Sequence, residues 1–225
     1  MILIFDLDDT LYEEINFVKG GLRAVSIFLS PKFNEKAELI YKDLFEILEK
    51  NGRGQIFDIF LKNKNKISKN LIKQCIRKYR YHQTNIDLKK SALDFLKGYK
   101  SKPLYLVTDG NKNVQQHKIH SLNVENYFKK IYITHRYGIK NAKPSLYCFR
   151  KIKKQEKCSW SDLVYIGDNP HKDFVSLKKV NAKTIRVLTG NYSQEIVSKK
   201  YEADYIIKSL NELKSLISKI EKNES

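Results

Sequence analysis

The stretch "MILIFDLDDTLY" (residues 1–12) decides the fold of this chain, because an apolar run ends there in a cluster of acids. Residues 1–5 are apolar and have the length of one buried strand. Asp6, Asp8 and Asp9 follow this run closely. Burying an isolated carboxylate is costly, and like charges a few ångström apart disfavour each other's ionisation. The cluster therefore needs either solvent or a cation beside it.

The composition is that of a globular protein with one large domain, or with a core and a smaller insert. The 225 residues are 41% hydrophobic and 12% aromatic, which is enough for a packed core. We expect no membrane partner, because no apolar stretch approaches the roughly 18 residues that span a bilayer. The three cysteines are widely spaced and odd in number, so we expect no disulfide framework and a cytoplasmic location. The composition leaves the oligomeric state open.

The formal net charge of +18 raises the alternative of a basic nucleic-acid-binding protein. Lysines are scattered through every segment, whereas nucleic-acid readers usually concentrate arginine and aromatic residues on one surface. We therefore expect that nucleic-acid binding is not the main function. The positive field instead favours phosphorylated, anionic ligands.

Apolar runs typical of buried strands alternate with helical patterns along most of the chain. The predicted strands are 1–5, 103–108, 130–134, 163–167, 183–188 and 204–207, and the predicted helices include 111–122, 145–154 and 171–180. This alternation predicts an α/β fold with a Rossmann-like, doubly wound parallel sheet. Residues 13–85 contain only helix-period patterns. We therefore expect a discontinuous core, residues 1–12 and 86–225, with a small all-helical domain at 13–85.

Polar groups follow three of the predicted strands at the point where each strand ends. They are Asp6, Asp8 and Asp9 after the first strand, Thr108 and Asp109 after the second, and Asp168 and Asp173 after the fourth. In an open parallel sheet, ligands bind beyond the carboxyl ends of the strands, so these groups are expected to converge. Converging carboxylates need a cation, and Mg²⁺ takes one or two carboxylates together with water and substrate phosphate. The sequence therefore predicts a Mg²⁺ site at this edge.

Four motifs, in this order and at this spacing, resemble those of the haloacid dehalogenase superfamily. They are "DLDDTLY" (6–12), "LVTDGN" (106–111), "AKPS" (142–145) and "YIGDNPHKD" (165–173). More narrowly, the chain resembles the phosphatases of this superfamily that carry a helical cap inserted after the first strand. The resemblance covers roughly residues 1 to 207, and it implies that the helical insert at 13–85 is such a cap domain.

The resemblance implies roles for the acids. Asp6 would be the nucleophile that forms an aspartyl-phosphate. Asp8 would protonate the leaving oxygen and later deprotonate water, with a pKa that the neighbouring Asp6 raises. Asp168 would bind the metal together with Asp6 and the backbone carbonyl of Asp8. Asp173 would fix a metal-bound water or a lysine.

The resemblance also implies how the phosphoryl group is held. Thr108 and the backbone amides of Asp109 and Gly110 would bind phosphate oxygens, and Lys143 would stabilise their charge. Asp9 is interpreted as structural. In the predicted cap, "NGRGQ" (51–55) places Arg53 between two helices, where it would bind the non-reacting end of the substrate. The alternative for Arg53 is an ordinary turn with a solvated side chain.

These roles together predict an enzyme, a Mg²⁺-dependent phosphatase acting on a small phosphomonoester such as a sugar phosphate or nucleotide. The carboxylate of Asp8 favours phosphoryl transfer, because the dehalogenases of this superfamily lack it. A sugar-phosphate mutase has the same core motifs and stays an alternative, distinguished by retention of phosphate on the sugar. The nucleic-acid alternative would be revealed by a steep loss of affinity with salt.

Overall fold

The computed structural model describes residues 1–99 and 103–222, so residues 100–102 and 223–225 of the predicted core lie outside the described residues. The chain forms two compact units. The first, here called the core unit, comprises residues 1–14 and 86–225, and the second, the helical unit, comprises residues 15–85. That the helical unit acts as a cap stays a prediction.

The strands of the core unit match the predicted ones. They are β1 (Ile2–Phe5), β2 (Leu104–Thr108), β3 (Lys130–Ile133), β4 (Leu163–Gly167), β5 (Lys183–Val187) and β6 (Tyr205–Ile207). In the described part of the chain they form one six-stranded parallel sheet of order β3-β2-β1-β4-β5-β6. The strand order reverses at β1, and ligands bind beside such a switch point. The predicted α/β sheet is confirmed.

The helices account for most of the remaining regular structure. They are α1 (Glu14–Phe33), α2 (Ala37–Asn51), α3 (Ile56–Asn63), α4 (Lys69–Arg80), α5 (Lys90–Gly98), α6 (Lys112–Ser121), α7 (Tyr147–Glu156), α8 (Val175–Lys178) and α9 (Leu213–Lys222). Short 3₁₀ turns lie at Glu125–Tyr127, Thr134–Tyr137, Ile139–Asn141, Gly190–Tyr192 and Leu210–Glu212. Among these described helices, each is too short or too polar to cross a lipid bilayer.

Helices cover both faces of the sheet. Alternate strand residues point to opposite sides, so the sheet packs against helices on both faces. On one face, Ile2 and Ile4 of β1 belong to a buried cluster with residues of α7 and α8. There the ring of Phe149 in α7 meets the ring of Tyr165 edge-on at 5.1 Å. On the other face, the ring of Phe5 contacts that of Phe95 in α5 at 5.7 Å. The sheet is therefore doubly wound, as predicted.

The helical unit has a hydrophobic core of its own. Four apolar residues of α1 recur at helical spacing and are buried, and α2, α3 and α4 add further buried side chains. The members are Val18, Leu22, Val25 and Leu29 of α1, Ile40, Leu44 and Ile47 of α2, Ile56, Phe57, Phe60 and Leu61 of α3, and Cys75 of α4. Helix α4 begins after Ser68, whose hydroxyl accepts a hydrogen bond from the amide of Leu71.

The predicted helix at 171–180 is wrong in extent, because α8 spans only Val175–Lys178. The preceding residues form a turn closed by its own hydrogen bonds. The amide of Asn169 donates to Asp173 Oδ2 at 3.0 Å, and the amide of Asp173 donates to the carbonyl of Asn169 at 3.0 Å. Short polar side chains that bond to nearby backbone groups compete with helix formation. This turn, rather than a helix, carries Asp168 and Asp173.

Candidate active site

Asp6, Lys143 and Asp173 form a buried ionic contact at the carboxyl end of the sheet. The amide of Asp6 donates to the carbonyl of Ile166 at 2.8 Å, which extends the pairing of β1 with β4 by one residue. The ammonium of Lys143 lies 2.9 Å from Asp6 Oδ2 and 2.8 Å from Asp173 Oδ1. The side chain of Lys143 is only 1% exposed. Three of the predicted site residues, distant in sequence, are thus in direct contact.

Tyr165 completes the surroundings of the Lys143 ammonium. Its hydroxyl accepts a hydrogen bond from Lys143 Nζ at 2.7 Å. An ammonium has three donors, and here Asp6, Asp173 and Tyr165 provide three acceptors, so the group is fixed in position. The sequence analysis missed Tyr165. The signal was a tyrosine inside a fully buried strand, since a buried phenol hydroxyl usually finds a hydrogen-bond partner.

Asp6, Asp168 and Asp173 fit a divalent cation. Each places one carboxylate oxygen within 4.8 Å of the others, and all three residues are buried. Two of the three carboxylates, those of Asp6 and Asp173, contact the ammonium of Lys143. The group thus brings three acids together around one such cation, so that full ionisation leaves an excess of negative charge. Mg²⁺ requires oxygen ligands, which these carboxylates offer, and it supplies two positive charges.

The pKa values of two of these acids reflect the same shortage of positive charge. Burial raises the pKa of Asp6 to about 7, despite the opposing effect of Lys143. Burial also raises the pKa of Asp168 to about 9, and the nearby carboxylates of Asp173, Asp6 and Asp9 add to the shift. A cation bound among these carboxylates would favour their ionised forms.

Asp8 is held differently, and the expectation that Asp6 raises its pKa is wrong. Tyr12 and Lys118 donate to Asp8 Oδ1 at 2.5 Å and 2.7 Å, and Gln115 Nε2 donates to Oδ2 at 2.8 Å. Burial by itself raises the pKa of Asp8. The Lys118 ammonium and the hydrogen bonds from all three donors outweigh burial, so the pKa lies below its ordinary value.

Lys118 and Gln115 reach Asp8 from α6, and the sequence analysis missed both. The two residues are three positions apart on the buried face of the helix, beside Ile119. Lys118 also forms an ion pair with Glu14 at 3.1 Å. The available signal was their helical spacing, which places Gln115 and Lys118 on the same side of α6 as the apolar Ile119. A lysine or glutamine on a buried helix face usually has a polar partner.

The residues at and after the end of β2 form hydrogen bonds with α6 and with the segment that carries Lys143. Thr108, the last residue of β2, is buried, and its Oγ1 accepts from Gln115 Nε2 at 2.6 Å. Gly110 has φ +132°, a conformation that side-chain-bearing residues rarely adopt. The carboxylate of Asp109, for which only the amide had been assigned a role, accepts from Thr134 Oγ1 at 2.6 Å and from the amide of Lys143 at 3.0 Å.

Two candidate residues remain, Asp9 and Arg53. Asp9 Oδ1 accepts from the amide of Glu14 at 2.9 Å, and the Asp9 carbonyl accepts from Lys89 Nζ at 2.8 Å and from the hydroxyl of Thr189. These bonds support the structural interpretation of Asp9. Arg53 belongs to the helical unit, where it is exposed in the loop between α2 and α3. Its contact with substrate stays a prediction.

Gly167, the last residue of β4, makes room for the carboxylate of Asp173. A Cβ at this position would lie 2.5 Å from Asp173 Oδ2 and 3.2 Å from Tyr165 Cε1. We predict that Gly167→Ala displaces Asp173 and lowers both Mg²⁺ affinity and kcat/KM by about 10- to 100-fold, the range for residues that orient metal ligands.

Steady-state kinetics with a Mg²⁺ titration would measure this effect. Gly98→Ala in α5 is the matched control, because a Cβ there would meet nothing within 4 Å. Wild-type Mg²⁺ affinity and turnover in Gly167→Ala would show that the position of Asp173 does not matter.

Comparisons with known proteins show what this chain is similar to. A family model described as haloacid dehalogenase-like hydrolase matches residues 3–187. The glyceraldehyde 3-phosphate phosphatase of Methanocaldococcus jannaschii is 28% identical over 239 residues, 98% of each chain. That of Pyrococcus furiosus is 25% identical over 228 residues, 97% of this chain and 93% of the relative. The solved structure of the HAD-hydrolase YfnB from Bacillus subtilis, bound to magnesium, has a TM-score of 0.71 at 19% identity, over 96% of this chain and 97% of that one.

Proposed function

The chain belongs to the haloacid dehalogenase-like hydrolase family, and from this premise we propose that it is a Mg²⁺-dependent phosphatase acting through an aspartyl-phosphate on Asp6. The observation that carries the proposal is the convergence of the buried carboxylates of Asp6, Asp168 and Asp173. Two of them, those of Asp6 and Asp173, also contact the buried ammonium of Lys143. Asp8, which lies two residues beyond Asp6, supplies the carboxyl group that phosphoryl transfer to and from oxygen requires.

In the first step, a carboxylate oxygen of Asp6 attacks phosphorus, and the bond from phosphorus to the leaving oxygen breaks. Asp8, whose pKa lies below its ordinary value in the protein alone, gives a proton to that oxygen. The negative phosphoryl group bound beside it favours the protonated form that this step needs, because like charges disfavour ionisation. The hydroxyl of Thr108 and the amides of Asp109 and Gly110 donate hydrogen bonds to the phosphoryl oxygens, which hold the group in place.

In the second step, water attacks the phosphorus of the aspartyl-phosphate. Asp8 accepts the proton from this water, so that it returns to its protonated form, and Asp6 leaves as a carboxylate. Lys143, held by Asp173 and Tyr165, stabilises the negative charge of Asp6 before and after the reaction.

Asp6, Asp168 and the backbone carbonyl of Asp8 would hold Mg²⁺, and Asp173 would orient Lys143 or a water molecule beside it. When bound, the ion offsets the charge of the phosphoryl group and of the nucleophile, so that two anions can approach each other. The clustering of three buried carboxylates, of which only Asp6 and Asp173 contact Lys143 among the described ion pairs, supports this assignment.

A small phosphorylated metabolite is the proposed substrate. The two relatives that match almost the whole chain are named glyceraldehyde 3-phosphate phosphatases, so this triose phosphate is the first compound to test. Small sugar phosphates and nucleotides are next. A cytoplasmic location, inferred from the cysteine content, belongs to the same proposal.

Phosphate release from a panel of these compounds, with Mg²⁺ and with a chelator, tests the proposal. We predict release that requires Mg²⁺ and is lost in Asp168→Asn, a change that keeps the size of the side chain but removes its charge. Analysis of the organic product separates hydrolysis from mutase activity, because a mutase keeps the phosphate on the sugar. The proposal would be contradicted if the folded protein released phosphate from none of these compounds at saturating Mg²⁺.

A further inference from the structure

The carboxylate of Asp8 is bound asymmetrically. Oδ1 accepts two hydrogen bonds, from the Lys118 ammonium at 2.7 Å and from the Tyr12 hydroxyl at 2.5 Å. Within the described part of the chain, Oδ2 accepts one, from Gln115 Nε2 at 2.8 Å. An oxygen that receives two donors, one of them charged, holds negative charge better than its partner. Oδ1 is thus the anchored oxygen, and Oδ2 is the oxygen that carries the proton when Asp8 is protonated.

Gln115 connects this carboxylate to Thr108. Its Nε2 lies 2.6 Å from Thr108 Oγ1 as well as 2.8 Å from Asp8 Oδ2, and an amide nitrogen has two hydrogens, one for each acceptor. Because Thr108 Oγ1 accepts from Gln115, its own hydroxyl hydrogen points elsewhere and is available to a phosphoryl oxygen. Gly110 allows this arrangement, since a Cβ there would lie 3.2 Å from Gln115 Cγ and Cδ.

The burial of the Lys118 ammonium costs free energy, because the group loses its hydration. The residue is only 3% exposed, and a methionine would fill the same space without the loss of ammonium hydration. Its charge is compensated by Asp8 at 2.7 Å and by Glu14 at 3.1 Å. The two acids hold the ammonium from two sides, so Lys118 in turn fixes the position of Asp8 Oδ1.

We propose that Lys118 and Gln115 are positioning residues for proton transfer: Lys118 anchors Asp8 through Oδ1, and Gln115 aligns Oδ2 with the Thr108 hydroxyl. This inference rests on the proposed phosphatase function. When the bond from phosphorus to the leaving oxygen breaks, its electron pair stays on that oxygen, which takes the proton from Asp8 Oδ2. The attacking water later returns a proton to the same carboxylate oxygen. The anchored carboxylate keeps the distance of this transfer short in both steps.

The dependence of rate on the leaving group tests this role. An alkyl phosphate needs the proton during bond cleavage, whereas 2,4-dinitrophenyl phosphate releases a stable phenolate that hardly needs it. For Lys118→Met and for Gln115→Leu, we expect kcat/KM to fall about 100-fold with the alkyl phosphate and about 10-fold or less with the dinitrophenyl ester, since general acid catalysis contributes about 10²- to 10⁴-fold. Asp8→Asn should show the same difference between substrates, and Lys118→Arg should restore part of the alkyl phosphate activity.

The controls are Lys154→Met on α7 and Gln116→Leu on the outer side of α6, both at exposed positions. Equal losses with both substrates in the two positioning variants would overturn the inference, because they would indicate a structural role only. If Lys118→Met does not fold, Gln115→Leu decides alone, since it replaces a neutral side chain with one of similar size. Wild-type protein that releases phosphate from neither compound would overturn the proposed function and, with it, the inference.

Discussion

Asp6→Asn is expected to reduce phosphate release by at least about a thousandfold, because the amide cannot attack phosphorus and no other residue takes over the role of a nucleophile. Asparagine has the size of aspartate and keeps an oxygen that can accept from Lys143. A loss of activity in this variant would therefore reflect the missing nucleophile and not a packing defect. Phosphate release under saturating Mg²⁺, with the best substrate of the panel, is the measurement.

The same variant should not be less stable than the wild type. Burial raises the pKa of Asp6 from 3.8, its ordinary value, to about 7. The unfolded chain therefore releases this proton at lower pH than the folded protein, so the stability falls as the pH rises from 3.8 to about 7 and stays lower above that value. The neutral amide removes this cost. Thermal unfolding without Mg²⁺ is expected to give an unchanged or higher Tm for Asp6→Asn. A large drop in Tm together with the lost activity would mean that Asp6 is mainly structural.

Lys143→Met is expected to have the second-largest effect, on both stability and activity. It leaves Asp6 and Asp173 buried together without the ammonium that contacts both. Removal of one partner from a buried ionic group costs about 3–5 kcal/mol, which corresponds to a fall in Tm of roughly 10 °C for a chain of this size. Activity should fall with it, because the charge of the nucleophile is no longer balanced.

A double variant separates these two effects of Lys143. In Asp6→Asn/Lys143→Met, one of the uncompensated carboxylates is gone, so part of the lost stability should return although activity stays absent. Lys140→Met, at an exposed position in the 3₁₀ turn Ile139–Asn141, is the control and should match the wild type. Additive losses of stability in the double variant would show that Asp6 and Lys143 do not interact.

Strands β1, β2 and β4 could be predicted from the sequence because each is an apolar run that ends at, or directly before, a polar residue. Ile2–Phe5 and Leu163–Gly167 are buried throughout, which is typical of parallel strands covered on both faces. The helix at 171–180 could not be predicted in the same way. Its sequence allows a helix, but the bonds between Asn169 and Asp173 keep the first half in a turn.

The candidate site could be predicted only where its residues follow strands. Asp6, Thr108 and Asp168 sit at strand ends, and the topology brings such positions together. Gln115 and Lys118 sit in a helix, where a lysine usually faces solvent, and the sequence does not reveal which side chain lies opposite. The direction of the Asp8 pKa depends on these partners. It was therefore predicted wrongly from the sequence neighbour Asp6 alone.

Trapping the acyl phosphate during turnover tests directly whether Asp6 is the nucleophile. Borohydride reduces an aspartyl-phosphate to homoserine, which mass spectrometry of the N-terminal peptide can locate. We predict homoserine at residue 6 when substrate and Mg²⁺ are present, and none without substrate or in Asp6→Asn. Active enzyme that yields no homoserine, or yields it at Asp8 or Asp168, would contradict the claim that Asp6 is the nucleophile.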